Sequence, residues 1–288
     1  MVSIIILLYN NADLIYDCLK SISIQKYKEY EVIIMDDCSI INNESFIMNL
    51  VNELFDDSSK VQYVRNSENL GTVASINKAL HIVTGEYIKL IAADDSFSDS
   101  NSLSKVIKGF SIEANVLMSR VASCNEKMEW TGEYECDEFQ RTLNNRGIDA
   151  ERELAIRNKI AAQGVFFKRS FFDKWGMFDE NYRLLEDWPT WLRVLRSGEK
   201  FQYLDEVTVN YRNFTGVVAN ANTYYLNDRK KCCSIEILGN RKYYGTICCL
   251  KAFFFSVIYS SKLLRVLYFK FYQLIHKIRG NCKMKLDN

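Results

Sequence analysis

An α/β fold built on a mixed, mostly parallel sheet flanked by helices is what the order of residues in this chain predicts, on three observations. Apolar runs of strand length alternate with stretches of helical periodicity through the first hundred residues, as crossover-connected parallel strands require. These runs end in polar residues: the opening run leads into Tyr9-Asn10, Glu31 to Met35 leads into Asp36-Asp37, and Tyr87 to Ile91 leads into Asp94-Asp95. A further acidic pair, Glu186-Asp187, stands at the mouth of a Trp-rich helical stretch. Open α/β sheets place ligand chemistry at the carboxyl ends of their strands. The order of these signals suggests sites for a nucleotide, a metal and a base.

Each element has a local reason. The run Ile4 to Leu8 has no basic region before it and no small-residue cleavage site after it, so it reads as a buried strand rather than a signal peptide. Leu14, Cys18, Leu19 and Ile22 recur at helical spacing, with Asp13 placed to cap them. Val61 to Val64 reads as a strand, Gly71 breaks the chain, Ala74 to Val83 reads as a helix stopped by Gly85, and Tyr87 to Ile91 as the next strand. This first hundred residues form a Rossmann-like half with right-handed crossovers. No G-x-G-x-x-G follows any of its strands, which disfavours a dinucleotide enzyme. Residues 101–160 are polar and weakly periodic, a variable surface region with helices expected at Ser102 to Phe110 and Ala150 to Asn158. Gln163 to Phe167 is strand-like, and Phe171 to Gly176 a short helix. Trp188, Trp191, Leu192 and Leu195 then repeat with helical spacing, and Pro189 suits a first helical turn.

Composition narrows the chemistry. At 288 residues with 48% hydrophobic and 25% charged content, the chain can bury a large core. Its nine cysteines are odd in number and form no C-x-x-C pair, so they read as reduced thiols, without a zinc site or disulfide framework. With only two histidines, catalysis falls to carboxylates. From Asp228 onward there are 13 Lys and Arg against 3 Asp and Glu, a net of +10, while the remainder carries 24 against 33, a net of −9. A basic tail on an acidic body suits an anionic surface, membrane or nucleic acid.

Val2 to Ser39, Asn66 to Phe97 and Gln163 to Arg193 together resemble glycosyltransferase family 2, the inverting, nucleotide-sugar-dependent enzymes with the GT-A fold. Leu7-Leu8-Tyr9-Asn10 resembles the family's strand-Pro-x-Tyr-Asn opening and Asp36-Asp37-Cys38-Ser39 its Asp-Asp-x-Ser. Asn69-Leu70-Gly71 and Asn77 match its next stretch, Gly85 to Ile88 leads into its Asp-x-Asp region, and Glu186-Asp187 with Trp191 resembles Glu-Asp-x-x-x-Trp. Departures are Leu7 for Pro, Ile76 for an Arg before Asn77, Ala92 for the first Asp of Asp-x-Asp, and Phe214 for the His of Tyr-Arg-x-His at Tyr211 to Phe214.

The resemblance implies roles. Asp94 would hold a Mg²⁺ or Mn²⁺ that neutralises the departing nucleoside diphosphate. Tyr9, Asn10, Asp36, Asp37, Asn69, Gly71, Asn77 and Asp95 would bind the donor, Asp36 or Asp37 meeting base and ribose. Asp187 would take the proton of the acceptor hydroxyl. Gln163, Gly164, Glu186, Trp188 and Trp191 would face the acceptor. Each position also has a structural reading: a turn at Asp36-Asp37, a loop or cap at Asp94-Asp95, a helix cap at Asp187, core for the Trp pair. A helix N-terminus would further lower the pKa of Asp187 and weaken it as a base.

The expected organisation is a GT-A domain over 1–220, with a nucleotide half 1–100 and an acceptor half 101–220, followed by a basic helical tail 221–288. Lys251, Lys262, Arg265, Lys270, Lys277 and Arg279 fall on one side of a helical wheel and Phe253, Leu263, Leu264, Leu267, Phe271, Leu274, Ile275 and Ile278 on the other. That pattern favours an interfacial helix over a bilayer span, with an ordinary core helix or dimer face as the alternative. The partners expected are a nucleotide-sugar donor, UDP by family habit, a glycan or lipid-linked glycan acceptor of bacterial capsule, exopolysaccharide or O-antigen synthesis, and the anionic inner face of the cytoplasmic membrane, without nucleic acid. A catalytically silent sugar-nucleotide or membrane-binding subunit is the rival reading.

Overall fold

The computed structural model describes residues 1–133, 137–213 and 223–260. Nine strands form one sheet: β1 (Val2–Leu8), β2 (Tyr30–Asp36), β3 (Val61–Arg65), β4 (Tyr87–Ala92), β5 (Ser96–Phe97), β6 (Val116–Cys124), β7 (Trp130–Glu133), β8 (Val165–Lys168) and β9 (Phe201–Arg212). Their order is β3-β2-β1-β4-β8-β6-β9-β5, with β7 beside β6. The β1–β2, β1–β4, β2–β3 and β6–β9 pairs are parallel, whereas β4–β8, β6–β8, β6–β7 and β5–β9 are antiparallel. The sheet is therefore mixed, as expected, but not mostly parallel: four of these pairings are parallel and four antiparallel. Parallel pairing dominates the first hundred residues, and the change comes at β8, which inserts antiparallel between β4 and β6.

Alternation along β1 divides the core. Ile4 and Ile6 face one cluster with the helices Ile15–Ser23 and Glu44–Leu54, while Ile5 faces the other with the helices Thr72–Leu80 and Asp187–Arg196. The predicted helices at Ser102 to Phe110, Ala150 to Asn158 and Phe171 to Gly176 appear as Ser102–Gly109, Ile148–Ile156 and Arg169–Trp175. Asp13 does not cap its helix: it lies inside a 3-10 turn, Ala12–Leu14, after which the helix begins without a side-chain cap.

The region read as a variable surface contains β6, an almost wholly buried strand in the middle of the sheet. Ser119 and Arg120 interrupt its apolar pattern and hide it in the sequence. The structure accommodates Ser119 because its hydroxyl donates to the Gly164 carbonyl at 3.0 Å and meets the Thr208 hydroxyl at 2.6 Å. A satisfied buried hydroxyl costs little.

Residues 223–260, expected as the start of a separate tail, share the larger core cluster. Cys232, Cys233, Ile237, Tyr244, Cys248, Cys249 and Ala252 pack with Trp188 and Trp191. Arg196 adds an ion pair to Glu236 at 3.0 Å, with both side chains mostly buried. Among the described residues no helix is long and apolar enough to cross a membrane. The wheel positions from Lys262 to Arg279 and the Phe214 substitution lie outside the described residues.

Gly164 is a steric keystone, since a Cβ there would stand 2.5 Å from the Ser119 carbonyl oxygen and 2.9 Å from Val121 Cγ2. Gly164→Ala is expected to destabilise the fold by about 1–3 kcal/mol, as overpacking does, read as a lower denaturation midpoint at unchanged m-value.

Candidate active site

The parallel strands finish together. Leu8 pairs with Asp36, Asp36 with Arg65, and Leu7 with Ala92. The Asp37 N–H then donates to the Leu8 carbonyl at 2.9 Å and the Ala93 N–H to the Leu7 carbonyl at 3.0 Å. Tyr9-Asn10, Asp36-Asp37, Asn66 and Asp94-Asp95 consequently gather on one edge, where the open sheet puts its ligands.

At the end of β2 the two carboxylates are built into the scaffold. Asp36 Oδ1 accepts from the Ser39 amide at 2.8 Å and hydroxyl at 2.6 Å, and Oδ2 accepts from Tyr63 and Arg65, both at 2.6 Å. Burial raises its pKa, but these four donors together outweigh burial and hold it below the ordinary carboxylate value. Asn10, at φ 57°, closes the neighbouring loop: its N–H donates to Ser39 Oγ at 3.0 Å and its side-chain carbonyl accepts from the Ile40 N–H at 2.8 Å. Tyr9 beside it leaves its ring 48% exposed.

Asp37 organises the next loop. Its Oδ1 accepts from Asn66 Nδ2 at 3.0 Å and the Leu70 N–H at 2.8 Å, and its Oδ2 from the Gly71 N–H at 2.8 Å. Asn77 is likewise structural in its contacts, since its amide exchanges hydrogen bonds with the Phe178 backbone at 2.8 and 3.1 Å and donates to Glu180 at 2.9 Å. The protein itself thus occupies most of the hydrogen-bonding capacity of Asp37 and Asn77, residues that the sequence resemblance assigned to the donor.

Beyond β4, Asp94 and Asp95 are both nearly buried. Asp95 Oδ1 accepts from the Arg212 N–H at 3.0 Å, and Arg212 Nε donates to the Asp94 carbonyl at 2.9 Å while its Nη2 meets Asp17 at 2.7 Å. Burial, reinforced by the adjoining Asp94, pushes the Asp95 carboxyl up to about 8. Beneath them Lys89, fully buried in β4, donates to the Gln163 and Val165 carbonyls, the latter at 3.3 Å, and sits 4.5 Å over the Phe166 ring. Burial pulls its ammonium down to about 7 against the opposing charge of Asp95. Arg212 was foreshadowed by the Tyr-Arg-x-His resemblance, whereas a Lys in an apolar run gave no sign of Lys89's role.

No three His, Cys, Asp or Glu side chains among the described residues form a metal cage. The donor set instead suits a cation shared with a ligand: a near-buried carboxylate pair, one member raised by burial and then by its neighbour, is what a dication relieves. Mg²⁺ commonly takes one or two protein carboxylates and completes its shell from phosphates and water.

Glu186 and Asp187, expected to face the acceptor, begin the helix Asp187–Arg196 and are half-buried. Asp187 Oδ2 accepts from Asn158 at 2.7 Å, and Oδ1 from the Trp188 N–H at 2.6 Å. Burial raises the Asp187 pKa despite these bonds and the Arg229 charge, and burial with the Asp187 charge raises that of Glu186. The helix N-terminus does not lower Asp187 as the sequence suggested, because desolvation exceeds the gain from the N–H. Gln163 and Gly164 form the turn that leads into β8. Trp188 and Trp191 belong to the core: Trp188 Nε1 donates to the Leu154 carbonyl at 2.8 Å, and Trp191 stacks on Phe167 with 5.9 Å between ring centroids. Neither indole has a face left for a sugar ring, which corrects that part of the acceptor expectation.

The chain thus carries buried carboxylates at its strand ends and a second acidic pair with raised pKa values at the start of the Asp187–Arg196 helix. The model of the family "Glycosyl transferase family 2" matches residues 3–175, and the chain belongs to that family. A curated relative from Escherichia coli, "UDP-Glc:alpha-D-GlcNAc-diphosphoundecaprenol beta-1,3-glucosyltransferase WfaP", is 25% identical over 230 residues, 76% of this chain and 80% of the relative. Among solved structures, the mannosyltransferase PcManGT of Pyrobaculum calidifontis, in complex with GDP-Man and Mn²⁺, is similar with a TM-score of 0.58 at 18% identity, covering 95% of this chain and 79% of that one. The 1–349 fragment of TarS from S. aureus is similar with a TM-score of 0.58 at 18% identity over 82% of this chain, which spans 65% of the TarS fragment. These likenesses show a shared fold.

Asp36→Asn should cost about 1–3 kcal/mol, since the amide leaves some of the donors around that buried carboxylate unmatched. Because folding lowers the Asp36 pKa, its stabilisation is complete above the unfolded value of about 4 and lost as pH falls through the lower folded value. The variant's stability-versus-pH curve, measured by denaturant titration, should lose that acid limb.

Proposed function

We propose that this chain is an inverting GT-A glycosyltransferase that moves a sugar from a nucleotide-sugar donor, UDP-linked by preference, to a lipid-linked glycan acceptor in bacterial envelope polysaccharide synthesis. The observation that carries the reading is Asp187: an oriented, half-buried carboxylate with a raised pKa, on a chain of this family. Raising a carboxylate brings it closer to the pKa that general-base work needs.

In this reading Asp187 takes the acceptor hydroxyl proton as the oxygen attacks the anomeric carbon, and the bond to the nucleoside diphosphate breaks on the far side, inverting the centre. The exposed Tyr9 ring offers a face to the nucleobase. Asn10, Asp36, Asp37, Asn69, Gly71 and Asn77 shape the donor side, Asp95 backs Asp94, and Gln163, Gly164 and Glu186 line the acceptor side. A Mg²⁺ or Mn²⁺ held by Asp94 supplies charge neutralisation at the diphosphate when bound.

The acceptor's lipid would bring the protein to the inner membrane face. The outward side of the helix Thr246–Ser260 carries exposed Ile247, Leu250, Phe253, Phe254 and Val257 with Lys251 among them, near exposed Lys230, Arg241 and Lys242. Apolar side chains ringed by cations suit an anionic bilayer surface.

Three outcomes are expected. Calorimetric titration with UDP, GDP and dTDP, each with and without Mn²⁺, should show metal-dependent binding of one nucleotide, weakened in Asp94→Ala; no binding to any would favour the silent-subunit reading that Ala92 suggests. Asp187→Asn should keep nucleotide binding while transfer falls by about 10²–10⁴-fold, and the wild-type rate should fall with decreasing pH above the ordinary carboxylate range of about 4. Phe253→Glu with Phe254→Glu should abolish co-flotation with phosphatidylglycerol vesicles; undiminished flotation would reject the helix face as the contact.

A further inference from the structure

The donor-side loop and the segment carrying Asp187 come from distant parts of the chain, and Arg183 joins them. Its Nη2 donates to the Asn69 backbone carbonyl at 2.7 Å and also to the Asn69 side-chain oxygen. Its own carbonyl accepts from the Val73 N–H at 3.1 Å. Gly71, at φ +90°, passes so close that a Cβ would stand 2.5 Å from Arg183 Cγ and 2.6 Å from its carbonyl oxygen. The loop Asn69–Gly71, already held at its other side by Asp37, therefore rests directly on Arg183.

From the opposite direction, the buried Asp228 receives the same residue. One carboxylate oxygen accepts both the Arg183 N–H at 2.8 Å and the Leu184 N–H at 2.6 Å. Asp228 belongs to the helix Thr223–Cys232, whose next residue, Arg229, lies 5.1 Å over the ring of Trp188, the neighbour of Asp187. The backbone from Arg183 to Trp188 thus has its start fixed by Asp228 and its end covered by Arg229, with buried Leu185 between.

We propose that Arg183 and Asp228 form a positioning clamp through which the donor loop Asn69–Gly71 and the Glu186–Asp187 segment are ordered together, so that nucleotide binding at the loop tightens the placement of Asp187. The inference rests on the transferase reading for the roles of loop and base, but its contacts are independent of the chemistry. Such coupling has a physical use, because a misplacement of about 1 Å at a base can cost about 10²-fold in rate. Two N–H groups converging on one buried carboxylate oxygen make a stiff junction, and charge-assisted bonds of this kind are about twice as strong as neutral ones.

The test is amide hydrogen exchange of the full chain with and without whichever of UDP, GDP and dTDP binds the wild type with Mn²⁺. In the wild type, nucleotide should slow exchange over Arg183 to Trp188. Asp228→Ala should bind nucleotide within about threefold of wild type yet lose that nucleotide-dependent slowing, while Asp228→Asn, which keeps a carbonyl acceptor for both N–H groups, should retain it. Should the Ala variant fail to fold, Arg183→Lys, which keeps charge but not the forked contact with Asn69, should show the same loss. Retained slowing in Asp228→Ala or Arg183→Lys, or its absence in a wild type that binds nucleotide, overturns the clamp alone. A wild type that binds none of the nucleotides overturns the clamp together with the transferase reading.

Discussion

Everything at the candidate site hangs on the satisfaction of the Asp37 carboxylate. A buried carboxylate without partners would be costly, and this one is matched by three donors from the loop that follows β3. In meeting that demand the chain fixes Gly71 against Arg183, and Arg183 in turn fixes the approach to Asp187. A charge at the end of a parallel strand is thereby connected, contact by contact, to an acidic pair about 150 residues later. Asp36 has a parallel task toward β3 and the Asn10 loop, through Tyr63, Arg65 and Ser39.

Most of the N-terminal half was legible because its strands are mostly apolar and the helices after β1 and β3 have clear periods, although the helix Glu44–Leu54 was not foreseen. β1, β2, β3 and β4 fall within a residue or two of where the pattern put them. The middle was not legible, for opposite reasons in two strands. β6 is interrupted by Ser119, whose hydroxyl finds buried partners, so polarity there does not mean exposure. β9 alternates weakly because its centre, Asp205 and Glu206, emerges into solvent between buried ends. The core role of residues 232 to 252 was hidden by their cysteines, which behave as small apolar side chains and break the appearance of an amphipathic helix.

At the site, sequence spacing located the strand ends. Motif order put Tyr9-Asn10, Asp36-Asp37 and Asp94-Asp95 on neighbouring strand ends, and register confirms that placement. What spacing could not carry was the partner of each group. Trp188 and Trp191 looked equally like core or sugar platform, and only their packing against Leu154, Phe167 and Phe201 separates the two. Arg183 and Asp228 left no signal at all, since a lone Arg in a loop and a lone Asp in a basic helix are ordinary surface residues until the fold buries them together.

The carboxylates of this chain thus separate by environment rather than by residue type. Asp36, surrounded by donors, has its pKa lowered and serves as an anchor, whereas Asp95, Glu186 and Asp187, where burial outweighs the available donors, have theirs raised. A raised carboxylate is a strained charge, and it relaxes by taking a proton or by meeting a cation. Those are the two events a metal-assisted displacement with a general base requires, and in the proposed reading they would fall to separate places: the end of β4 for the cation, the start of the Asp187–Arg196 helix for the proton. The segment leading to Asp187 is joined through Asp228 and Arg183 to the Asn69–Gly71 loop that Asp37 holds, so the proton's place is tied to that loop rather than to the end of β4.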